Sequence, residues 1–479
     1  MTGTTRIWDL GRFSDNVALL DEFGNGLTYG QLEEEAGALA RAVGRRCLAF
    51  ALCGNEVGSI LGYVSLMNAG IVPALLNRHL DGALLKNLLS VYCPSFLWVP
   101  EGQAGQFLDV EEVYGAREYR LLRTRYETEY PLHPDLALLL TTSGSTGSPR
   151  FVRQSRENLL DNARAIVEYL ELDEAERPIT TLPMNYTYGL SIINSHLLVG
   201  ATLLVTEKSL MQREFWSFFK EAGATSFGGV PYTYEMLDRM RFQRMDLPSL
   251  RTMTQAGGKL APELHRKFAR YAADTGKKFI VMYGQAEASP RMGYLPAERA
   301  LEKCGAMGIP IPGGRFRLLD EEGREIDRPH VTGELIYEGK NVTMGYAEGG
   351  EDLMKGDERH GVLATGDMAQ FDEEGYYTIV GRKKRFLKIY GNRVNLDEID
   401  RLVREEFGLE CASAGVDDRL CIFVTDGDKA DAIRGFVARV TRLNPSAFRV
   451  FALEELPRND SGKVLFRELE KYYRGEGRP

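Results

Sequence analysis

The stretch LTTSGSTGSPRFV, residues 140–152, gathers Thr142, Ser143, Gly144, Ser145, Thr146 and Gly147 just ahead of Arg150. Glycine lets a backbone approach an anion closely, and hydroxyls and amides can surround its oxygens, so such a loop either holds a polyphosphate or is a plain polar turn. The GxxxxGK[ST] spacing of a Walker loop is absent here and at the other Gly-Lys pairs (258/259, 276/277, 462/463), which argues against P-loop kinases and ATPases. A phosphate held at this loop needs a cation from elsewhere. Three further stretches carry groups suited to that chemistry. MYGQAEAS sets Tyr283 four residues before the Glu287 carboxylate, LATGDM predicts Asp367 in a tight glycine turn, and LPRNDSGKV presents the Lys463 ammonium on a turn near the carboxyl end.

The elements that must position these groups follow from the apolar pattern. Short runs, CLAFAL (47–52), IVPALL (71–76), ITTLP (179–183) and ATLLVT (201–206), alternate with helical patterns such as ENLLDNARAIVEYLEL (157–172). Continuous apolar runs mark strands covered on both faces, which predicts an α/β fold with doubly wound, mostly parallel sheets. From about residue 305 glycine-punctuated pieces predict hairpins and a β-rich subdomain. Beyond Gly391, NLDEIDRLVREEFG and DKADAIRGFVARVTRL flank strand candidates at CASAGV and CIFVTD, the composition of a small α+β unit. The basic run 382–385 joins the two and is either a solvated turn or a pivot.

At 479 residues the chain exceeds what one core supports, about 250–300 residues. Its net charge of −9 is spread along the sequence, which argues against a nucleic-acid or anionic-membrane partner. Six cysteines without a CxxC pair suggest neither a zinc site nor a disulfide framework and fit a reduced, cytoplasmic location. Charged residues at 6, 9, 12 and 15 interrupt any secretory core, so no secretion is expected. Asn68 and Pro73 break the most apolar stretch (59–76), so it reads as a helix running into a strand, with no membrane span.

Nine stretches in order, LTYGQL (27–32), TSGSTGSPR (142–150), LPMNYTYGL (182–190), AGGKL (256–260), YGQAE (283–287), GELIYEGKNVTMGY (333–346), TGD (365–367), GRKKRFLKIYGNRV (381–394) and PRNDSGK (457–463), make the sequence resemble the adenylate-forming superfamily. That superfamily comprises acyl-CoA synthetases, non-ribosomal adenylation domains and firefly luciferase. The resemblance implies a large AMP-binding domain over 1–383, with the β-rich subdomain at about 305–383, and a small mobile domain over 384–479 hinged near Lys384. It implies ATP-dependent conversion of a carboxylic acid to an acyl-adenylate, release of pyrophosphate, and transfer to a thiol of coenzyme A or of a carrier protein's phosphopantetheine. The loop 142–147 would close over the phosphates while Glu287 helps hold Mg²⁺. Tyr283 and Gly284 would meet adenine beside the backbone of Ala256, Gly257 and Gly258, and Asp367 and Arg382 would bind the ribose. Lys463 would act in adenylation and the segment around Lys388 in thiol transfer.

Departures accompany the resemblance. Arg150 stands where the family's loop usually ends in lysine, Ala286 where a threonine precedes the glutamate, and Phe466 where an arginine follows the final motif lysine. Tyr186, Tyr188, Gly189, Phe227, Gly228, Val230 and Tyr232 are the candidate acyl lining. Gly189 falls where amino-acid-activating members carry an aspartate, which implies a neutral acyl or aryl acid. Alternatives are a ligase specific for an acyl carrier protein, an amino-acid-activating enzyme, and a nucleotide-binding pseudoenzyme.

Overall fold

The computed structural model describes residues 6–126, 130–141, 150–390, 392–458 and 464–473, apart from the side chains of Lys384, Phe386, Lys388, Asn392 and Arg393. The chain packs as two compact units, Met1–Phe316 with Tyr337–Leu363, and Arg317–Ile336 with Ala364–Pro479. The expected hinge at Lys384 falls inside the second.

The first unit is built on an eight-stranded sheet. In spatial order its strands are Gly345–Ala347, Phe151–Ser155, Leu136–Thr141, Val72–Asn77, Leu48–Cys53, Phe96–Pro100, Tyr119–Thr124 and Val110–Ala116. The four in the middle, from Leu136–Thr141 to Phe96–Pro100, run parallel, and the flanking strands are antiparallel. Every residue of Leu48–Cys53 is buried because its side chains enter two cores, Leu48, Phe50 and Leu52 on one face, Ala49, Ala51 and Cys53 on the other. Helix Val57–Asn68 is buried except for Asn68, which accounts for an apolar sequence all round.

A five-stranded sheet carries most of the candidate site. Ser226–Gly229, Thr252–Gln255 and Lys278–Gly284 run parallel, and Arg291–Leu295 and Ile309–Pro310 add antiparallel. The strand expected at 179–183 does not form. Pro178 and Ile179 make single bridges to Ser226 and Leu204, and Pro183 lacks the N–H that would extend a ladder. Within ATLLVT, Leu203–Val205 joins Val17–Asp21 and Gly26–Thr28 in a small third sheet.

The second unit holds most of the sheet formed by Arg315–Leu319, Gly333–Glu338, Val362–Phe371 and Tyr377–Arg382, together with the predicted α+β part. There the strands Cys411–Val416, Arg419–Val424 and Phe448–Ala452 are packed against helices Leu396–Phe407 and Ala430–Thr441 through Ile399, Val403, Ile433 and Val437. The basic run forms a short turn, Lys383–Arg385, and Arg385 is buried rather than solvated. Its guanidinium lies 2.8 Å from Asp397 and 2.6 Å from Asp400.

Burial pushes the Asp400 carboxyl up to about 6, against the pull of Arg385. A carboxyl raised in the folded state favours the protonated form, so its contribution is fully present below pH 4 and is lost as pH rises through about 6. Thermal melts of the parent and of Asp400→Asn from pH 4 to pH 7 should show the parent losing stability relative to the variant across that window; parallel curves would refute the assignment.

Candidate active site

The phosphate loop joins antiparallel neighbours. Thr141, at the end of Leu136–Thr141, pairs with Phe151, at the start of Phe151–Ser155, so residues 142–150 connect two strands rather than a strand and a helix. No helix N-terminus therefore follows at Phe151 to supply partial positive charge. Thr142, Ser143, Gly144, Ser145, Thr146 and Gly147 lie outside the described residues.

Arg150, at the foot of the loop, places its guanidinium carbon 3.3 Å from the centroid of the Tyr346 ring. Arg359 approaches the same ring at 4.6 Å. The Tyr346 hydroxyl donates to Glu287 Oε1 at 2.7 Å, and burial with the nearby carboxylate pushes the phenol up, so it remains a donor. The backbone beneath is fixed as well. The Glu287 carbonyl accepts from the Thr343 N–H at 3.0 Å, from the Thr343 hydroxyl at 3.1 Å and from Arg359 Nη1 at 3.2 Å. Two cations, one phenol and one carboxylate thus meet at the loop's base.

Arg153, two residues into the following strand, has a fully buried side chain. Its Nε donates to the Tyr346 carbonyl at 3.0 Å, Nη1 to Gly356 at 3.2 Å and Nη2 to Met344 at 3.2 Å, with further bonds to the Lys355 carbonyl and the Glu358 carboxylate. This side chain reinforces the backbone pairing of Gly345–Ala347 with Phe151–Arg153 and ties in the carbonyls of Lys355 and Gly356.

Nine further first-unit candidates lie on or just past the ends of three parallel strands: Phe227, Gly228 and Val230 at the first, Ala256, Gly257 and Gly258 at the second, Tyr283, Gly284 and Glu287 at the third. Ligands of open α/β sheets bind at such ends. Two glycines are sterically required. A Cβ on Gly284 would lie 1.7 Å from the Pro290 carbonyl oxygen, and one on Gly257, at φ +83°, 2.6 Å from the Tyr186 hydroxyl. In the second unit Asp367 and Arg382 face each other across adjacent strands, with Arg382 Nε 3.6 Å from Asp367 Oδ1. Asp367 lies within the strand Val362–Phe371 and not in a tight turn, because its pairing with Arg382 continues the ladder past Gly366, which takes φ +71°. Lys384 belongs to the turn Lys383–Arg385 and Lys388 to the strand Phe386–Ile389, while Lys463 lies outside the described residues.

Around the acyl candidates, Tyr188 shares a 2.9 Å hydrogen bond with Thr254 and lies 6.3 Å, ring to ring, from Tyr186. A Cβ on Gly228 would meet Ile192 at 2.9 Å and the Tyr188 hydroxyl at 3.0 Å. Gly189 backs onto the Pro183 carbonyl, where a Cβ would come within 2.4 Å, so this position has no room for an aspartate. Phe227 packs chiefly among Phe219, Tyr234 and Phe242, and Tyr232 is exposed on helix Pro231–Arg239. Tyr346 and Arg359 are not legible from the sequence as partners of this cluster: Tyr346 falls within GELIYEGKNVTMGY, but its partner Glu287 is distant in sequence.

Arg150→Lys keeps the charge but loses the planar stack on Tyr346, a difference of about 1 kcal/mol. The KM for ATP is expected to rise about fivefold, with kcat close to the parent, in steady-state pyrophosphate assays; an unchanged KM would remove Arg150 from the phosphate site.

Comparison with known proteins agrees with this architecture. A family model for AMP-binding enzymes matches residues 8–347. Oxalate–CoA ligase of Arabidopsis thaliana is 29% identical over 366 residues, covering 72% of this chain and 69% of that protein. Sulfoacetate–CoA ligase of Cupriavidus necator is 28% identical over 483 residues, covering 93% and 92%. With several longer coenzyme A ligases the aligned part is 61–66% of their length. Among solved structures, O-succinylbenzoate coenzyme A synthetase from Bacillus subtilis, in complex with ATP and magnesium ion, superposes with a TM-score of 0.76 at 21% identity, covering 95% of this chain and 96% of the other. The chain belongs to the family of AMP-binding enzymes.

Proposed function

We propose that the protein is an AMP-forming acid–thiol ligase. It activates a carboxylic acid with ATP to an acyl-adenylate, releases pyrophosphate and passes the acyl group to a thiol. The observation that supports this most is the meeting of Arg150, Arg359, Tyr346 and Glu287 at the base of the loop 142–147. A single carboxylate, Glu287, suits Mg²⁺, which is usually held by one or two protein oxygens plus the substrate's phosphates. Bound there, the ion supplies charge neutralisation to the triphosphate.

The chain's own residues do the rest. Thr142 to Gly147 surround the phosphates, with Arg150 as the loop's cation, and Tyr346 holds one oxygen of Glu287 so that the other faces the nucleotide. Tyr283, Gly284 and the backbone of Ala256–Gly258 take the adenine, and Asp367 and Arg382 the ribose. Lys463, on a domain hinged near Lys384, brings an ammonium to the attacking carboxylate, where negative charge develops. The segment of Lys388 serves the thiol step. Relatives named as coenzyme A ligases favour coenzyme A as acceptor; a carrier protein's phosphopantetheine ends in the same thiol and is the second candidate. Among the described residues no helix is long and apolar enough to cross a membrane. Six cysteines without a CxxC pair favour a reducing compartment, the cytoplasm.

Pyrophosphate release across a panel of carboxylic acids, repeated with coenzyme A and with holo carrier protein, tests the proposal and names the acceptor. ATP binding without turnover of any acid would instead mark a nucleotide-binding pseudoenzyme.

A further inference from the structure

Four residues beyond Glu287, Arg291 opens the strand Arg291–Leu295 and pairs with Gly284. It is 2% exposed, and no carboxylate among the described residues forms an ion pair with it. Its Nε donates to the Ser191 hydroxyl at 3.0 Å, and Nη1 to the Tyr169 hydroxyl at 3.1 Å and to the Met282 sulfur. The guanidinium carbon lies 4.5 Å from the centroid of the Tyr188 ring. All these partners are neutral, and Nη2 donates to none of the described residues. A guanidinium taken out of water without a counter-anion is costly, so its retention needs a compensating charge.

Arg291 lines a cavity of about 20 Å³, room for one small polar group rather than a chain or ring. Ile192, Ser195 and His196 of helix Thr187–Leu198 form one wall, and Phe227, Gly228 and Thr254 the other. His196 is 3% exposed and its Nε2 has no hydrogen-bond partner among the described residues. Nδ1 lies 2.8 Å from the Ile192 carbonyl and so carries the ring proton, leaving Nε2 a lone pair. Burial, aided by Arg291, pushes this imidazole down to about 4, so it is neutral at physiological pH. Glu176, also on the cavity lining, is engaged by the Thr225 hydroxyl and by Arg251 at 3.5 Å. One cation, Arg291, is left over, together with one unfilled acceptor.

We propose that the acid activated here carries a second, anionic group on its acyl part and that Arg291 receives it, so that the preferred substrates are dianions such as dicarboxylates. This differs from the neutral acid implied by the sequence alone, and it rests on the acid–thiol ligase proposal above. The same guanidinium would repel an α-ammonium. His196 Nε2 accepts from a hydroxyl of the ligand or from a water carried in with the anion.

The test is pyrophosphate release with straight-chain and aromatic monoacids, their dicarboxylate counterparts, and the monoamides of those diacids. In the parent, the best diacid is expected to exceed its own monoamide at least tenfold in kcat/KM. Arg291→Met should lower kcat/KM for that diacid at least 100-fold while changing the monoamide's less than threefold and leaving the KM for ATP in place. A parent that uses a monoacid or monoamide as well as any diacid overturns the proposal, and so does a folded variant that loses all acids equally, since Arg291 would then be only a pin between Ser191 and Tyr169. Should the variant not fold, the parent's ratio decides alone. Absence of turnover with every acid counts against the ligase proposal itself, a separate failure.

Discussion

Lys463→Ala is expected to lower acyl-adenylate formation by about 10²- to 10³-fold, the loss typical of removing a group aimed at developing negative charge. Thioester formation from supplied acyl-adenylate and coenzyme A should fall less than threefold. The asymmetry follows from where the ammonium acts. In the first step an anionic carboxylate approaches an anionic α-phosphate, and the Lys463 ammonium, acting as proposed, would relieve both the repulsion and the charge growing on the bridging oxygen. In the second step the phosphate leaves as AMP and no such encounter occurs. Separate assays of pyrophosphate release and of thioester appearance read the two steps, and equal losses would contradict a domain that presents different residues to each.

Glu287→Gln is the second large effect. The amide keeps the shape and still accepts from the Tyr346 hydroxyl, but it removes the negative charge from the proposed metal position. Loss of a charged partner costs about 1.5–3 kcal/mol, so pyrophosphate release should fall about 10- to 150-fold. The concentration of Mg²⁺ giving half-maximal rate should rise about tenfold, while AMP binding measured without metal stays within twofold. A Mg²⁺ titration at saturating ATP checks this. An unaltered titration curve would place the ion on other groups.

How far these features could be read in advance depended on how local they are. Leu48–Cys53 was visible because burial on both faces leaves a continuous apolar run, and helix Arg156–Leu170 because its period and the Ser155 cap lie within one segment. The segment 179–183 misled because Ile179 and Leu182 are buried while pairing stops at single bridges from Pro178 to Ser226 and from Ile179 to Leu204, and Pro183 has no N–H to extend them. The run at 382–385 could be read as a solvated turn since Asp397 and Asp400, which draw Arg385 inward, stand on the following helix. Tyr283, Glu287 and the 256–258 stretch became candidates through motif spacing. Arg291 was not, because a lone arginine becomes informative only when its surroundings prove neutral, and those come from segments about 100 residues away as well as from its own. Gly189 is intermediate: the missing aspartate was legible, the carbonyl that forbids one was not.

The five-fold grip of Arg153 makes one side of the proposed nucleotide site a finished mould. Phe151–Ser155, the Tyr346 strand and the approach to Arg359 share that clamp, so an arriving triphosphate meets a surface whose ordering cost was met when the protein folded.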